Sequence, residues 1–231
     1  MDVPDVKEAY AIIADLGNNV GLYKIGLQLF TAHGPEIVKK IQETGTPIFL
    51  DLKFHDIPNT VQNAVESACL LDVQMLTIHL SGGLPMAKAA VAGLSAVSST
   101  TSTSTTSAPC ILGVTVLTST SQEDLASLNI STPLADQVVH LAKMGKQAGI
   151  GGIVASPLEI QAIRQAVGPD LKIVTPGVRP TWAASNDQQR IMTPDEALAA
   201  GADYLVIGRP ITAAPNRKDA LDRILDEIHS A

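Results

Sequence analysis

The chain has 231 residues, 45% of them hydrophobic, and a net charge of −7 at pH 7. This length and apolar content fit one domain around one large core, and the negative charge argues against a general binder of nucleic acid or of membrane surfaces. Cys69 and Cys110 stand in apolar surroundings without metal-ligand spacing, which predicts free thiols. The N-terminus lacks a basic-then-apolar leader, so we expect a single cytoplasmic domain over residues 1–231.

Short apolar runs alternate with helical patterns along the chain. Seven runs predict strands, at residues 21–25, 47–50, 75–80, 111–117, 152–155, 171–174 and 204–207. Helical patterns lie around 61–68, 86–97, 138–142, 159–167, 194–200 and 219–228, and Thr193-Pro194-Asp195-Glu196 is typical of a capped helix start. Such alternation indicates a parallel sheet with right-handed crossovers. With a vestigial strand at Met1-Asp2, we predict an α/β fold, a (β/α)8 TIM barrel whose first strand is largely truncated. A doubly wound open sheet is the alternative.

Residues 98–107 are all serine or threonine. This run has nothing to bury, so we expect an inert, mobile surface loop between a helix and the next strand. It does not mark a domain boundary, because strands and helices continue to alternate beyond it.

Ionisable residues follow the predicted strand at 47–50. The block Asp51-Leu-Lys-Phe-His-Asp-Ile-Pro-Asn-Thr60 places three charges within six residues. Alternation along a strand directs Asp51 and Lys53 to one face. A lysine beside carboxylates stays protonated, because opposite charges favour its charged form. We therefore expect a proton donor held next to anions rather than a structural ion pair.

Other strand ends also carry polar residues, and in a (β/α)8 barrel these ends form the active site. They include Lys24, His79, Thr118, Arg179 and Arg209. The loops after the last two strands of such barrels frequently bind phosphate. Gly177 and Gly208 permit close backbone approach there, and Arg209 offers a bidentate fork. The polar stretch 181–190 is placed to form a lid over the phosphate, with Gln188 as a contact. The residues thus predict a small phosphorylated substrate beside a cluster of lysines and aspartates.

The chain resembles the orotidine 5′-phosphate decarboxylase family in its bacterial form, over nearly its whole length. The block at 51–60 is the most specific carrier of the resemblance. The others follow in the family order, at 22–26, 79–83, 114–119, 175–180, 187–188 and 207–210.

The resemblance implies the decarboxylation of orotidine 5′-phosphate to UMP in pyrimidine biosynthesis, without a metal or an organic cofactor. Lys53 would protonate C6 of the pyrimidine as carbon dioxide leaves, while the enzyme stabilises the C6 carbanion electrostatically. Lys24, Asp51 and Lys53 would form an alternating charged network with Asp56, which enters from the other subunit of a homodimer. Asp51 would lie beside the substrate carboxylate and disfavour the bound ground state.

The resemblance also assigns the remaining contacts with orotidine 5′-phosphate and UMP. Asp2 and Lys24 would contact the ribose, and Thr60 would accompany Asp56 across the interface. Thr118 would lie on the pyrimidine side. The phosphate would be held by Arg179, Gln188, Gly208 and Arg209.

The start of the chain departs from the family pattern. Members open with an apolar strand that leads into the ribose-binding aspartate, whereas here Met1 immediately precedes Asp2. We therefore expect a longer natural form, and the alternative is a barrel that tolerates a stub of the first strand.

Two other functions remain open. The magnesium-dependent 3-keto-gulonate 6-phosphate decarboxylases and hexulose-phosphate synthases share an Asp-x-Lys-x-x-Asp signature. The residues Ile57-Pro-Asn-Thr60 and Asp187-Gln188 favour the orotidine enzyme over these. A non-catalytic protein that binds a phosphorylated ligand is the third possibility, and the full set of charged residues argues against it.

Overall fold

The computed structural model of the protein describes residues 1–100, 108–183 and 191–229, without the side chains of 98–100. Seven strands form one sheet: β1 (Tyr23–Ile25), β2 (Ile48–Phe54), β3 (Met75–His79), β4 (Cys110–Val114), β5 (Gly152–Val154), β6 (Lys172–Thr175) and β7 (Tyr204–Leu205). Every strand pairs in parallel with its neighbours in the chain. A doubly wound sheet reverses its strand order at a switch point. The sequential order found here therefore rules out that alternative.

Helices connect the strands and cover the outside of the sheet. They are α1 (Val6–Leu16), α2 (Leu27–His33), α3 (Glu36–Gln42), α4 (Pro58–Cys69), α5 (Gly83–Thr100), α6 (Gln122–Ser127), α7 (Leu134–Ala148), α8 (Ile160–Val167), α9 (Pro194–Ala199), α10 (Arg209–Thr212) and α11 (Arg217–His229). The predicted capped start is confirmed, since Thr193 and Glu196 form a capping box with Pro194 at the first helical position of α9.

Helix α5 extends further than the sequence predicts. It continues to Thr100, so the prediction of a loop is wrong for residues 98–100, and the remainder of the predicted loop, 101–107, lies outside the described residues. By length and composition alone, the stretch Leu80–Val97 could cross a membrane. In this fold, however, Met86, Ala87 and Ala90 are fully buried, and α5 packs against α4 and α7. These apolar residues of α5 therefore pack in the core of the fold.

The sheet curls around an interior apolar cluster of its own. Buried side chains from β2, β3, β4 and β6 form its centre, and a further residue of β4 and residues from or beside β1, β5 and β7 pack around them. The cluster comprises Phe49, Met75, Leu112 and Val174 with Leu22, Cys110, Val154 and Val206. Because Leu22 precedes β1 and Val206 follows β7, the first and last strands contribute to the same cluster. A second, larger core lies between the outer face of the sheet and the helices.

A seam lies between β1 and β7. Among the described residues these two strands are not paired with each other, and Met1 and Asp2 form no strand between them. The terminal amino group of Met1 donates a hydrogen bond to the carbonyl of Lys24. An apolar cavity of about 370 Å³ is lined by residues from both strands, including Tyr23 and Leu205, and by Phe49 from the interior.

Candidate active site

The carboxyl end of β2 carries the centre of the site. The Nζ of Lys53 lies 2.9 Å from both carboxylate oxygens of Asp51. The Nζ of Lys24, from the neighbouring strand β1, lies 3.0 Å from Oδ2 of the same carboxylate. The sequence prediction that Asp51 and Lys53 meet is confirmed, and Lys24 joins them from the adjacent strand end.

The backbone of β2 is irregular at this point. Lys53 has a φ of +52°, in the left-handed region that residues with a side chain rarely occupy. The pairing of β2 with β3 shifts register between Leu50 and Phe54. Regular strand alternation therefore does not place Lys53, since a bulge directs its side chain instead.

Asp51 is buried and yet ionised. Burial alone would raise its pKa, but the charges of Lys24 and Lys53, with the hydrogen bonds that both ammonium groups donate, outweigh burial and hold the pKa below its usual value. The site thus keeps one carboxylate between two lysines at neutral pH.

Two histidines lie beside this cluster. His79 ends β3, and its ring centroid lies 5.5 Å from that of His55. Burial lowers the pKa of His79, and the nearby His55 and Lys53 lower it further. His79 is therefore neutral at pH 7 and adds no positive charge to the site.

Asp2 lies close to Lys24. Its Oδ1 accepts a hydrogen bond from the backbone N–H of Gln28, at 3.2 Å. A Cβ built on Gly26 would lie 2.8 Å from that oxygen and 3.4 Å from the Nζ of Lys24. Gly26 therefore allows the aspartate and the lysine to approach each other, which places the two residues predicted for the ribose side by side.

The residues predicted for the phosphate follow β6 and β7, which are neighbours in the sheet. Gly177 has a φ of +80°, so it occupies the backbone conformation that favours glycine. Arg179 is buried, its backbone N–H donates to the carbonyl of Met192, and its guanidinium donates to the carbonyl of Val178. The first contact ties the chain after β6 to the segment that leads into α9.

Gly208 and Arg209 are exposed where α10 begins. A Cβ on Gly208 would meet no atom within 4 Å, so the space above this backbone is open. The predicted lid begins at Thr181, and the guanidinium of Arg223 on α11 lies 4.2 Å from the ring centroid of Trp182. Gln188 lies outside the described residues, so its predicted contact has no structural test.

Thr118, Asp56 and Thr60 complete the predicted set. Thr118 is partly buried in the turn after β4. Asp56 and Thr60 are exposed near the start of α4, and Oδ1 of Asp56 accepts a hydrogen bond from the N–H of Ile57. No salt bridge joins Asp56 to the lysines of its own chain among the residues that the structure describes.

One residue with hydrogen bonds to the cluster was not predicted. The Thr77 hydroxyl contacts both Asp51 and the backbone of Lys53. Its sequence signal is a single polar residue within the apolar run at 75–80.

The sequential parallel sheet and the charged cluster at its carboxyl edge define an α/β enzyme whose acid and base groups stand at strand ends. The chain matches the orotidine 5′-phosphate decarboxylase / HUMPS family over residues 1–224. It belongs to that family, and the resemblance found in the sequence is confirmed.

Curated relatives and solved structures agree with this membership. Orotidine 5′-phosphate decarboxylase of Syntrophotalea carbinolica is 47% identical over 232 residues, covering 100% of this chain and 93% of the relative. The Geobacter sulfurreducens enzyme of the same name is 50% identical over 213 residues, covering 92% of this chain and 87% of the relative. The crystal structure of orotidine 5′-phosphate decarboxylase from Lactobacillus acidophilus superposes with a TM-score of 0.86 at 37% identity, covering 99% and 96% of the two chains.

Proposed function

We propose that this chain decarboxylates orotidine 5′-phosphate to UMP in pyrimidine biosynthesis. The observation that carries the proposal is the placement of the Asp51 carboxylate between Lys24 and Lys53 at the carboxyl edge of the sheet. The names of the curated relatives support this substrate and product.

Lys53 would act as the proton donor. Breaking the bond between C6 and the carboxylate carbon leaves the electron pair on C6 and releases carbon dioxide. No electron sink adjoins C6, so the enzyme must stabilise that charge electrostatically. An ammonium group supplies a positive charge there and then transfers its proton to form the new C6–H bond.

Asp51 would oppose the substrate carboxylate before the bond breaks. Both groups are anionic, and the buried aspartate is held ionised by the two lysines. The repulsion weakens as the substrate carboxylate becomes neutral carbon dioxide, so it disfavours the ground state more than the transition state. Lys24 keeps Asp51 in place and, with Asp2, lies on the side proposed for the ribose.

The phosphate would be bound between the ends of β6 and β7. Arg179 and Arg209 provide guanidinium groups, the backbone around Gly208 is open to an anion, and Gln188 would close from the lid. Thr118 would contact the pyrimidine. Phosphate binding far from C6 contributes free energy that closes the lid and orients the reacting atoms.

A homodimer would complete each site. Asp56 and Thr60 are exposed beside Ile57, a large apolar side chain that is 67% exposed. An interface over this segment would cover Ile57 and bring Asp56 of one subunit towards Lys53 of the other.

The finer architecture and setting are also proposals. The curled sheet is consistent with a single catalytic domain of the (β/α)8 type, in which a first strand would fill the seam between β1 and β7. Cys69 and Cys110 are free thiols, as expected for a reducing cytoplasm. The reaction would need no cofactor.

The direct test is the ultraviolet absorbance change when orotidine 5′-phosphate is added to the purified protein, with and without EDTA. Conversion to UMP that EDTA does not affect supports the substrate, the reaction and its independence of metal. Conversion that EDTA abolishes points to the magnesium-dependent chemistry of the sugar-phosphate enzymes. Tight UMP binding without conversion would indicate a non-catalytic binding protein.

A further inference from the structure

Thr77 is a buried polar residue in the middle of an apolar strand. It lies in β3 between Leu76 and Ile78, is 1% exposed, and pairs with Leu112 of β4. A threonine hydroxyl has one proton to donate and lone pairs that accept. The Oγ1 of Thr77 accepts from the backbone N–H of Lys53, at 2.8 Å, and donates to Oδ1 of Asp51, at 3.0 Å. The hydroxyl therefore both accepts from and donates to residues of the charged cluster.

The pairing of β2 with β3 explains why the hydroxyl is needed. Leu50 pairs with Leu76, and the next pair joins Phe54 to Ile78. The segment from Asp51 to Lys53 therefore bulges opposite the single residue Thr77, which removes backbone groups of β2 from the regular ladder. The Thr77 side chain supplies the acceptor that the displaced N–H of Lys53 requires.

The same contact orients the carboxylate. Oδ1 of Asp51 receives the Thr77 hydroxyl and Lys53, whereas Oδ2 receives Lys53 and Lys24. Three donors from three strands thus fix the rotation of the carboxylate group. Without the hydroxyl, the two lysines still contact the Asp51 carboxylate. The carboxylate then has no hydrogen bond from Thr77, on the strand opposite the bulge.

We infer that Thr77 is a positioning residue of the reaction, which fixes the Asp51 carboxylate and the left-handed backbone of Lys53 with one hydroxyl. This inference rests on the proposed function for its catalytic consequence. The hydrogen-bonding role is independent of it, so the two fail separately in the experiments below.

Thr77→Val removes the hydroxyl and keeps the shape of the side chain. We expect kcat for orotidine 5′-phosphate to fall about 100-fold, as follows from a small misplacement of reacting groups, while the Kd of UMP stays within about threefold. Thr77→Ser retains the hydroxyl and should restore most of the rate. Thr46→Val is the matched control, because Thr46 is a buried threonine two residues before β2, at the end of that strand away from Asp51 and Lys53. It should leave kcat unchanged even if it lowers Tm.

The pH profile separates positioning from a general loss of stability. The charged or titratable groups that face Asp51 are Lys24 on β1, Lys53 on β2, His79 on β3 and the Met1 amine. Loss of the hydroxyl removes a donor from the ionised carboxylate, so the acid limb of kcat should move to higher pH in Thr77→Val but not in Thr46→Val.

Two results would overturn the inference. One is a Thr77→Val protein with unchanged kcat and an unchanged acid limb. The other is a loss of kcat that Thr77→Ser fails to recover. If wild-type protein does not convert the substrate, the proposed function fails, and carbon-13 NMR titration of the Asp51 carboxyl group still decides the role of Thr77. A higher pKa in Thr77→Val supports that role, and an identical titration refutes it.

Discussion

Lys53 directs its ammonium group symmetrically at Asp51, with 2.9 Å between Nζ and each carboxylate oxygen. These two contacts restrict the Lys53 side chain to one conformation beside Asp51. A substrate that brings a second carboxylate to this point competes for the same ammonium group and is repelled by Asp51. In the proposed mechanism, the contact between these two residues would set both the repulsion of the substrate carboxylate and the position of the proton that Lys53 donates.

Lys53→Ala tests the proton donor. We expect kcat to fall by at least about 10,000-fold, because the variant loses both the general acid and a charge that stabilises the carbanion. UMP should still bind, since its phosphate and ribose contacts remain. Stopped-flow absorbance and calorimetric UMP titration measure the two quantities. Lys39→Ala, an exposed lysine paired with Glu36 on α3, is the control and should behave as wild type. Near wild-type turnover in Lys53→Ala would remove this lysine from the chemistry.

Asp51→Asn tests the repulsion. The amide has a similar shape but no charge, so the substrate carboxylate should no longer be opposed on binding. We expect kcat to fall at least about 100-fold, while the Kd of orotidine 5′-phosphate decreases relative to that of UMP, which lacks the carboxylate. Equilibrium binding measurements on the slow variant give the Kd of orotidine 5′-phosphate and the Kd of UMP. A substrate-to-product affinity ratio equal to that of wild type would contradict ground-state repulsion by Asp51.

The convergence of Lys24, Asp51 and Lys53 was predictable from the sequence. Carboxyl ends of parallel strands share one edge of a sheet, so polar residues that follow apolar runs must gather there. The alternating pattern likewise predicted all seven strands, because each run is short, apolar and bounded by turn residues.

The bulge opposite Thr77 was not predictable in the same way. A register shift depends on how two strands pair, and a threonine within the apolar run at 75–80 is also typical of an ordinary strand. The lack of a strand at Met1-Asp2 could not be predicted from the sequence either, since it depends on how those two residues lie against β1. The end of helix α5 within the serine and threonine run was not predicted either, because weak local propensity alone does not fix where a helix ends.

Arg209→Ala tests the phosphate contact. Loss of one hydrogen bond to a charged group costs about 1.5–3 kcal/mol, so kcat/KM for orotidine 5′-phosphate should fall roughly 10–150-fold. Orotidine, which lacks the phosphate, should react equally slowly with wild type and variant. Lys218→Ala, an exposed lysine paired with Asp222 on α11, controls for the loss of one positive charge. An equal effect of Arg209→Ala on both substrates would show that Arg209 does not act through the phosphate.

A mixture of two inactive variants tests the shared site. In a hybrid dimer of Lys53→Ala and Asp56→Ala subunits, one site carries both changes and the other carries neither. Random exchange makes half of the dimers hybrids, so about a quarter of wild-type activity should return. Each variant alone, taken through the same exchange, is the control. No recovery, despite exchange shown by native mass spectrometry, would place Asp56 and Lys53 in the same subunit's site.

In protein prepared with Met1 as its first residue, the terminal amine gives a pH-dependent stability that acetylation should remove. Burial, followed by the charge of Lys24, lowers its pKa from 8.0 to about 5, so the folded amine is neutral at pH 7. The unfolded chain binds this proton between about pH 5 and 8, which makes the free energy of unfolding rise with pH across that window. A shift of three pKa units changes the free energy of unfolding by at most about 4 kcal/mol across this window. Acetylation of Met1 leaves an N–H that can donate to the carbonyl of Lys24, but the acetylated nitrogen does not titrate. Urea unfolding at pH 5.5 and 8 should therefore show a smaller pH dependence in the acetylated protein and greater stability at pH 5.5. Identical curves for the two forms would mean that the amine is solvated in the folded state.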